Sequence, residues 1–281
     1  MRLAWQTFCL DFSRKTHIMG VLNVTPDSFS DGGLHFDKSS AVDHALRMAD
    51  EGADIIDIGG ESTRPGSDPV SPEEEIRRTV PVIETISRQI TCPISIDTYR
   101  ADVAKRALDA GASIVNDISG LRFDPLMPKV VSDCKVPVVI MHMKGTPKDM
   151  QLNPVYNALI PEILDYFRKR IEFAVNAGIG EDLIAIDPGI GFGKTFNHNL
   201  IILNNLHELT RLGKPLLVGP SRKAFLGRLL NGAAPDERTE GTAAAVAISI
   251  IKGANIIRVH DVKEMSKVAI VADAIKRERV N

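Results

Sequence analysis

Polar residues recur in this chain at one kind of place, where an apolar, β-branched run gives way to a turn. Asp97 closes the run Ile94-Ser95-Ile96, Asn116 closes Ile114-Val115, and Asp187 closes Leu183-Ile184-Ala185-Ile186. Two carboxylates and an amide converging on one spot suit a ligand edge rich in N–H donors, such as a guanidine-like heterocycle that pairs bidentately with a carboxylate. Capping of the next helix or turn is the plainer explanation for any one of them. It is a poorer one for all three at equivalent positions.

A second group has the opposite chemistry. Asn23 ends the first run, Arg64 lies in the loop after the second, and Arg258 and His260 alternate at the end of the last. Residues two apart on a strand share a face. Two guanidiniums, an imidazole and an amide then describe a pocket for phosphate or diphosphate, with ordinary ion pairing as the alternative for either Arg. Ser221-Arg222-Lys223 opens a helix after the seventh run, where a hydroxyl, two cations and the helix N-terminus attract anions. Lys223 is open to three readings: a Schiff-base amine, a donor to a neutral ring, or a surface cation. Asp187-Pro-Gly-Ile-Gly-Phe-Gly-Lys194 resembles a phosphate-binding Gly loop, although its spacing is no dinucleotide fingerprint. The split between acids and bases points to one ligand with a polar ring at one end and a phosphate at the other.

Eight apolar runs position these groups, ending at Asn23, Gly59, Asp97, Asn116, His142, Asp187, Gly219 and His260. Continuous apolar runs separated by helix-like segments read as parallel strands buried on both faces. The expectation is an α/β fold, a single (β/α)8 barrel over residues 1–281, with residues 1–16 as an N-terminal strand or flap outside the repeat that closes the bottom. In such a barrel the chemistry sits at the C-terminal strand ends. Gly52-Ala53, Gly111-Ala112 and Gly253-Ala254 share a Gly-Ala-polar-Ile pattern in which a helix stops at a left-handed Gly and a strand begins at once. Ser71-Pro72-Glu73-Glu74 reads as a capping box opening a helix whose Val80, Ile83 and Ile86 face inward. Further helices are expected from Ser39/Ser40 to Gly52 with Ala41, Ala45, Leu46 and Ala49 as its stripe, and before Gly111 with Ala101, Ala104, Ala107 and Leu108. Others are expected from Asp124-Pro125, over 155–177, 199–212, 224–230 and 239–251, and from Val262 onward. The long loops at 23–38 and 59–71, and a third at 144–154, are the expected mobile, functional ones.

Composition excludes several classes. Hydrophobic content of 44% and charged content of 25% are those of a globular protein. A net charge of −2 gives no reason to expect nucleic-acid binding. No apolar run approaches the ~18 residues of a membrane span, and Met1 to Thr7 lacks a signal-peptide core, so the cytoplasm is the expected compartment. Cys9, Cys92 and Cys134 cannot all pair internally and lack metal-ligand spacing, which fits reduced structural thiols.

The motifs resemble a known family. Asn23-Val-Thr-Pro-Asp-Ser-Phe-Ser-Asp-Gly-Gly33, Gly59-Gly-Glu-Ser-Thr-Arg-Pro-Gly66, Ile94-Ser-Ile-Asp-Thr98, Asn116-Asp117-Ile118, Met141-His142-Met143, Asp187 to Lys194, Ser221-Arg222-Lys223 and Arg258-Val-His-Asp261 look like dihydropteroate synthase, in that family's order. The resemblance implies a folate-pathway transferase that joins (7,8-dihydropterin-6-yl)methyl diphosphate to 4-aminobenzoate with Mg²⁺, in a homodimer. It implies that Asp97, Asn116, Asp187 and Lys223 hold the pterin with Met141 in the pocket wall, and that Thr63, Arg64, Arg258 and His260 hold the diphosphate. Asn23 would help position Mg²⁺, Asp31 would face the cation formed on C–O cleavage, and Phe29, Pro65, Phe192, Ser221 and Lys223 would frame the aminobenzoate. Two positions depart from the family's habit: Ala224, often Ser, which leaves the aminobenzoate carboxylate to backbone N–H groups, and Pro220, which fixes φ before Ser221. Rival readings are the folate-binding barrel of corrinoid methyltransferases, a Schiff-base aldolase using Lys223, and a non-catalytic pterin-binding homologue. The first and second loops, built for a diphosphate, argue against the first of these.

Overall fold

The computed structural model describes residues 1–25, 38–62 and 69–279. A short antiparallel hairpin, β1 (Arg2–Trp5) and β2 (Phe8–Asp11), precedes the repeat. Eight parallel strands follow: β3 (His17–Asn23), β4 (Ile55–Gly59), β5 (Ile94–Asp97), β6 (Ile114–Asp117), β7 (Val138–Met141), β8 (Ile184–Asp187), β9 (Leu217–Val218) and β10 (Ile256–Val259). They are ordered β8-β7-β6-β5-β4-β3-β10-β9, and a lone parallel bridge between Ile186 and Leu216 joins the two ends. The sheet is therefore a nearly closed barrel, as the run of apolar segments predicts.

Alternation along each strand sorts the core into two regions. One set of residues, including Ile18, Leu22, Ile56, Ile58, Ile96, Ile140, Ile186, Val218 and Val259, packs outward against the helices. The other set faces inward, where Met19, Ile55, Ile114, Val139, Ala185, Leu217 and Ile256 pack with Leu3, Trp5, Leu10 and Phe12 of the hairpin region. The N-terminal segment is thus a plug for the bottom of the barrel. Period 2 fixes the next inward layer, which lies two residues further along each strand and nearer the other mouth.

The helices follow their sequence signals with instructive shifts. The helix α1 (Lys38–Asp50) buries Ala41, Val42, Ala45 and Met48. In α2 (Pro72–Ile86), Ser71 accepts the Glu74 N–H as N-cap, but Val82 takes the inward place expected of Val80. The Glu74 side chain completes no capping box, because Arg77 and Arg78 hold it instead. The next three, α3 (Ala101–Asp109), α4 (Met127–Cys134) and α5 (Leu159–Asn176), start close to or after their expected positions. The expected 199–212 helix breaks at Asn205 into α6 (Phe196–Asn204) and α7 (Leu206–Leu209). The last three are α8 (Ala224–Leu229), α9 (Thr239–Ile251) and α10 (Val262–Arg277). Gly52, Gly111 and Gly253 all take positive φ, as the repeated Gly-Ala pattern requires.

Candidate active site

One cavity at the C-terminal mouth is lined by Asp97, Asn116, Ile118, Met141, Asp187, Ile190, Phe192, Gly219, Lys223 and Arg258. The acceptors, the aromatic ring and two of the cations expected from sequence thus share one wall. The apolar part of that wall continues outward, where Met143, Met150, Tyr99 and Phe123 pack with Ile118, Met141 and Phe192.

The acidic side of the cavity is organised by a residue that sequence reading passed over. Asp57 sits in the middle of β4, two residues beyond inward-facing Ile55, and is fully buried. Its Oδ2 accepts Arg258 Nε–H at 2.6 Å and the Asn116 side-chain N–H at 3.1 Å. Arg258 also donates through its terminal nitrogen to Asp97 Oδ2 at 2.7 Å, so one guanidinium bridges two carboxylates. Burial works against the charge on Arg258, but Asp57 and Asp97 hold it above its ordinary value. Burial likewise pushes Asp97 up to about 7, opposed by Arg258. A lone charge in an apolar run, on the inward parity, is the signal that would have found Asp57.

Asp187 is placed by a turn as much as by its strand. Gly189 donates its N–H to Asp187 Oδ1 at 2.7 Å. Gly189 has φ +67°, and a Cβ there would lie 2.2 Å from the His142 carbonyl oxygen, so only Gly fits. Burial raises Asp187 to about 6. In the following Gly-rich stretch two N–H groups that a phosphate cradle would use are already committed, Gly191 to Asn199 Oδ1 at 2.7 Å and Phe192 to the Gly189 carbonyl at 3.1 Å. The stretch is a held wall: Lys194, 2% exposed, donates to the His142 and Phe192 carbonyls and lies 3.0 Å from His142 Nδ1. Burial lowers Lys194 to about 7 and His142 to about 2. Neither residue lines the cavity.

After β9 the chain makes a left-handed turn at Arg222, φ +57°. That turn separates the cations expected to act together. Arg222 is aimed at Asp261, with Nε 3.1 Å from Oδ2 and a second, shorter contact. Lys223 instead enters the cavity, its ammonium 4.4 Å from the centroid of the Phe192 ring. Ser221 is buried, accepts the His260 N–H at 3.2 Å, and has its Oγ 3.0 Å from His260 Nδ1. Ala224 is the first, exposed residue of α8.

Asp31, Phe29, Thr63, Arg64 and Pro65 lie outside the described residues. The two stems flanking residues 63–68 are nonetheless described. Arg100 reaches Glu61 at 2.7 Å and the Val70 carbonyl at 2.8 Å, and Tyr99 donates to Glu61 at 2.7 Å. Arg100 also pairs with buried Glu75. Asn23 is half-buried at the end of β3, beside Gly59 in register. Among the described residues no group of three or more His, Cys, Asp or Glu could hold a metal ion. A single neutral oxygen from Asn23 suits Mg²⁺ that is carried mainly by phosphate and water, the ion's usual habit.

Comparison with known proteins converges on one family. The family model for pterin binding enzymes matches residues 19–260. A dihydropteroate synthase of Synechocystis is 48% identical over 95% of this chain and 92% of its own. The crystal structure of Yersinia pestis dihydropteroate synthase with a sulfonamide drug complex superposes with a TM-score of 0.93 at 44% identity, covering 99% of this chain and 100% of that one. The Xanthomonas albilineans dihydropteroate synthase in complex with 7,8-dihydropteroate gives a TM-score of 0.89 at 40% identity, over 98% of this chain and 99% of that one.

Proposed function

The chain belongs to the dihydropteroate synthase family of pterin-binding enzymes, and from that footing we propose that it joins (7,8-dihydropterin-6-yl)methyl diphosphate to 4-aminobenzoate. The products are 7,8-dihydropteroate and diphosphate, and the enzyme is a transferase of folate biosynthesis. The observation that carries this reading is the inward layer at the barrel mouth, where Asp97, Asn116 and Asp187 share one cavity with Lys223, Arg258 and Phe192.

The chemistry follows from what these groups offer. The pterin ring has an N–H edge like a guanidine, and a buried carboxylate pair with an amide accepts it. The exocyclic C–O bond then breaks, the diphosphate keeps the electron pair, and the ring delocalises the positive charge left on its methylene. The amine of 4-aminobenzoate adds to that carbon and gives up a proton. Preorganised charges and hydrogen-bond donors aimed at the developing charge carry most of the rate gain: Arg258, Arg64, His260 and the Thr63 hydroxyl at the departing diphosphate, Asp31 at the cation. Lys223, Phe192 and Ser221 frame the aminobenzoate, a place where sulfonamides would compete. Mg²⁺, positioned with help from Asn23, would neutralise diphosphate charge.

No helix among the described residues is long and apolar enough to cross a membrane, and we assign the enzyme to the cytoplasm. A homodimer is supported by the exposed Ile248 and Ile251 of α9 and Ile270, Val271 and Ile275 of α10. Diphosphate release that requires both substrates tests the proposal. Release without 4-aminobenzoate, or none at all, would sink it.

A further inference from the structure

We propose that Asp57 is a positioning residue for this reaction, fixing Arg258 and the amide of Asn116 from behind the cavity wall. The inference rests on the pterin-and-diphosphate reading above. Asp57 is absent from the cavity lining, yet two lining residues hang on one of its oxygens, Arg258 Nε at 2.6 Å and Asn116 Nδ2 at 3.1 Å.

Consider the amide first. Asn116 has a donor end and an acceptor end, and nothing in its own shape chooses between them. Asp57, an acceptor, takes the donor end. The end left for the cavity is then Oδ1, the acceptor that a ring edge rich in N–H requires, alongside Asp97 and Asp187. Consider the guanidinium next. Its Nε is committed to Asp57, while a terminal nitrogen rests on Asp97 Oδ2 at 2.7 Å. Asp57 is 0% exposed and does not line the cavity, whereas Asp97 does. The two contacts therefore have different fates. The Asp57 contact is the pivot and persists. The Asp97 contact gives way when diphosphate takes the outer edge of Arg258, which releases Asp97 to accept the ring. Asp97 Oδ1 and Asp57 Oδ1 are both buried without a partner among the described residues, so the carboxylate nearer the ligand has acceptor capacity to offer.

The test uses the near-isosteric variant D57N. Its affinity for dihydropterin diphosphate and for a dihydropterin lacking the diphosphate is measured by calorimetry, with thermal melting alongside. Both affinities should fall about tenfold or more, since a charge-assisted bond behind each group is lost. In an N116A background the same change should barely affect the ring-only ligand, because the amide it orients is already gone. Affinities within twofold of wild type, or an undiminished loss in the N116A background, would overturn the proposal. Should D57N not fold, nitrogen-15 resonances of the wild-type protein decide. The Arg258 Nε–H signal should be protected from exchange without ligand and stay so when substrate binds, and its loss on binding would refute the pivot. A wild-type protein that binds neither ligand would instead sink the functional reading, which separates the two failures.

Discussion

Arg258 carries two obligations, and its removal should expose both. It pairs with Asp57 and Asp97 in the unliganded protein and, in the proposed reaction, offers charge to diphosphate. Arg258→Ala should weaken binding of the diphosphate-bearing substrate by ~2–4 kcal/mol, the range for losing one partner of a desolvated charged contact. It should also lower the melting temperature, since two buried carboxylates lose their counter-ion. Calorimetry with and without the diphosphate, beside a melting curve, resolves the two effects; equal losses for both ligands would mean that Arg258 only holds the barrel together. Asp187 gives a second case in which binding and stability diverge. Burial raises its folded pKa from 3.8 to about 6. Between those values the folded state holds a proton that the unfolded state has lost, so this group adds stability as pH falls through 6 towards 4 and costs stability above 6. Pterin binding should run the other way, weakening below about 6 as the acceptor is protonated. Asp187→Asn should flatten the stability slope over that window and weaken binding at every pH. A wild-type slope retained in the variant would assign the proton elsewhere.

At the level of elements, the loops after β7 and β8 are locked together rather than hinged. Gly189 passes under the His142 carbonyl, and Lys194 ties the two loops through main-chain oxygens. Gly189→Ala should therefore cost roughly 2–4 kcal/mol, from positive-φ strain and a clash with backbone that cannot swing aside. Chemical denaturation measures it, and a loss under 1 kcal/mol would mean the loops yield easily. How legible these elements are in the sequence depends on whether the cause is local. The helix Thr239–Ile251 and the three left-handed glycines could be read directly, because a run of small and apolar helix formers and a Gly-Ala step act within a few residues. The split at Asn205, whose side-chain amide bonds the Ile201 carbonyl at 2.8 Å, and the burial of Val82 in place of Val80 were not legible that way. The site divides in the same way. Asp97, Asn116 and Asp187 announce themselves by standing at strand ends. Asp57 hides inside an apolar run, and its partner Arg258 is 201 residues away. Arg222 reads as a site cation until its turn delivers it to Asp261.

For the molecule as a whole, the plugged floor and the polar mouth divide the labour: Leu3, Trp5, Leu10 and Phe12 fill the bottom with apolar volume, so the upper layer is left to charge. The barrel's closure is less even than that division implies. Neighbouring strands elsewhere pair over two to five register positions, but β8 meets the β9 segment through the single bridge of Ile186 and Leu216. There the Ile186 N–H bonds the Pro215 carbonyl at 2.9 Å. A cylinder with one thin joint has a preferred place to part. The amide of Ile186 should exchange its hydrogen for deuterium sooner than that of Ile56, which sits between fully laddered strands, although the two side chains are equally buried. Matching protection at the two amides would mean the cylinder opens only as one piece. If the joint does part first, new chain ends cut between β8 and β9 should be tolerated better than ends cut between β3 and β4, making the seam the natural place to rewire this chain.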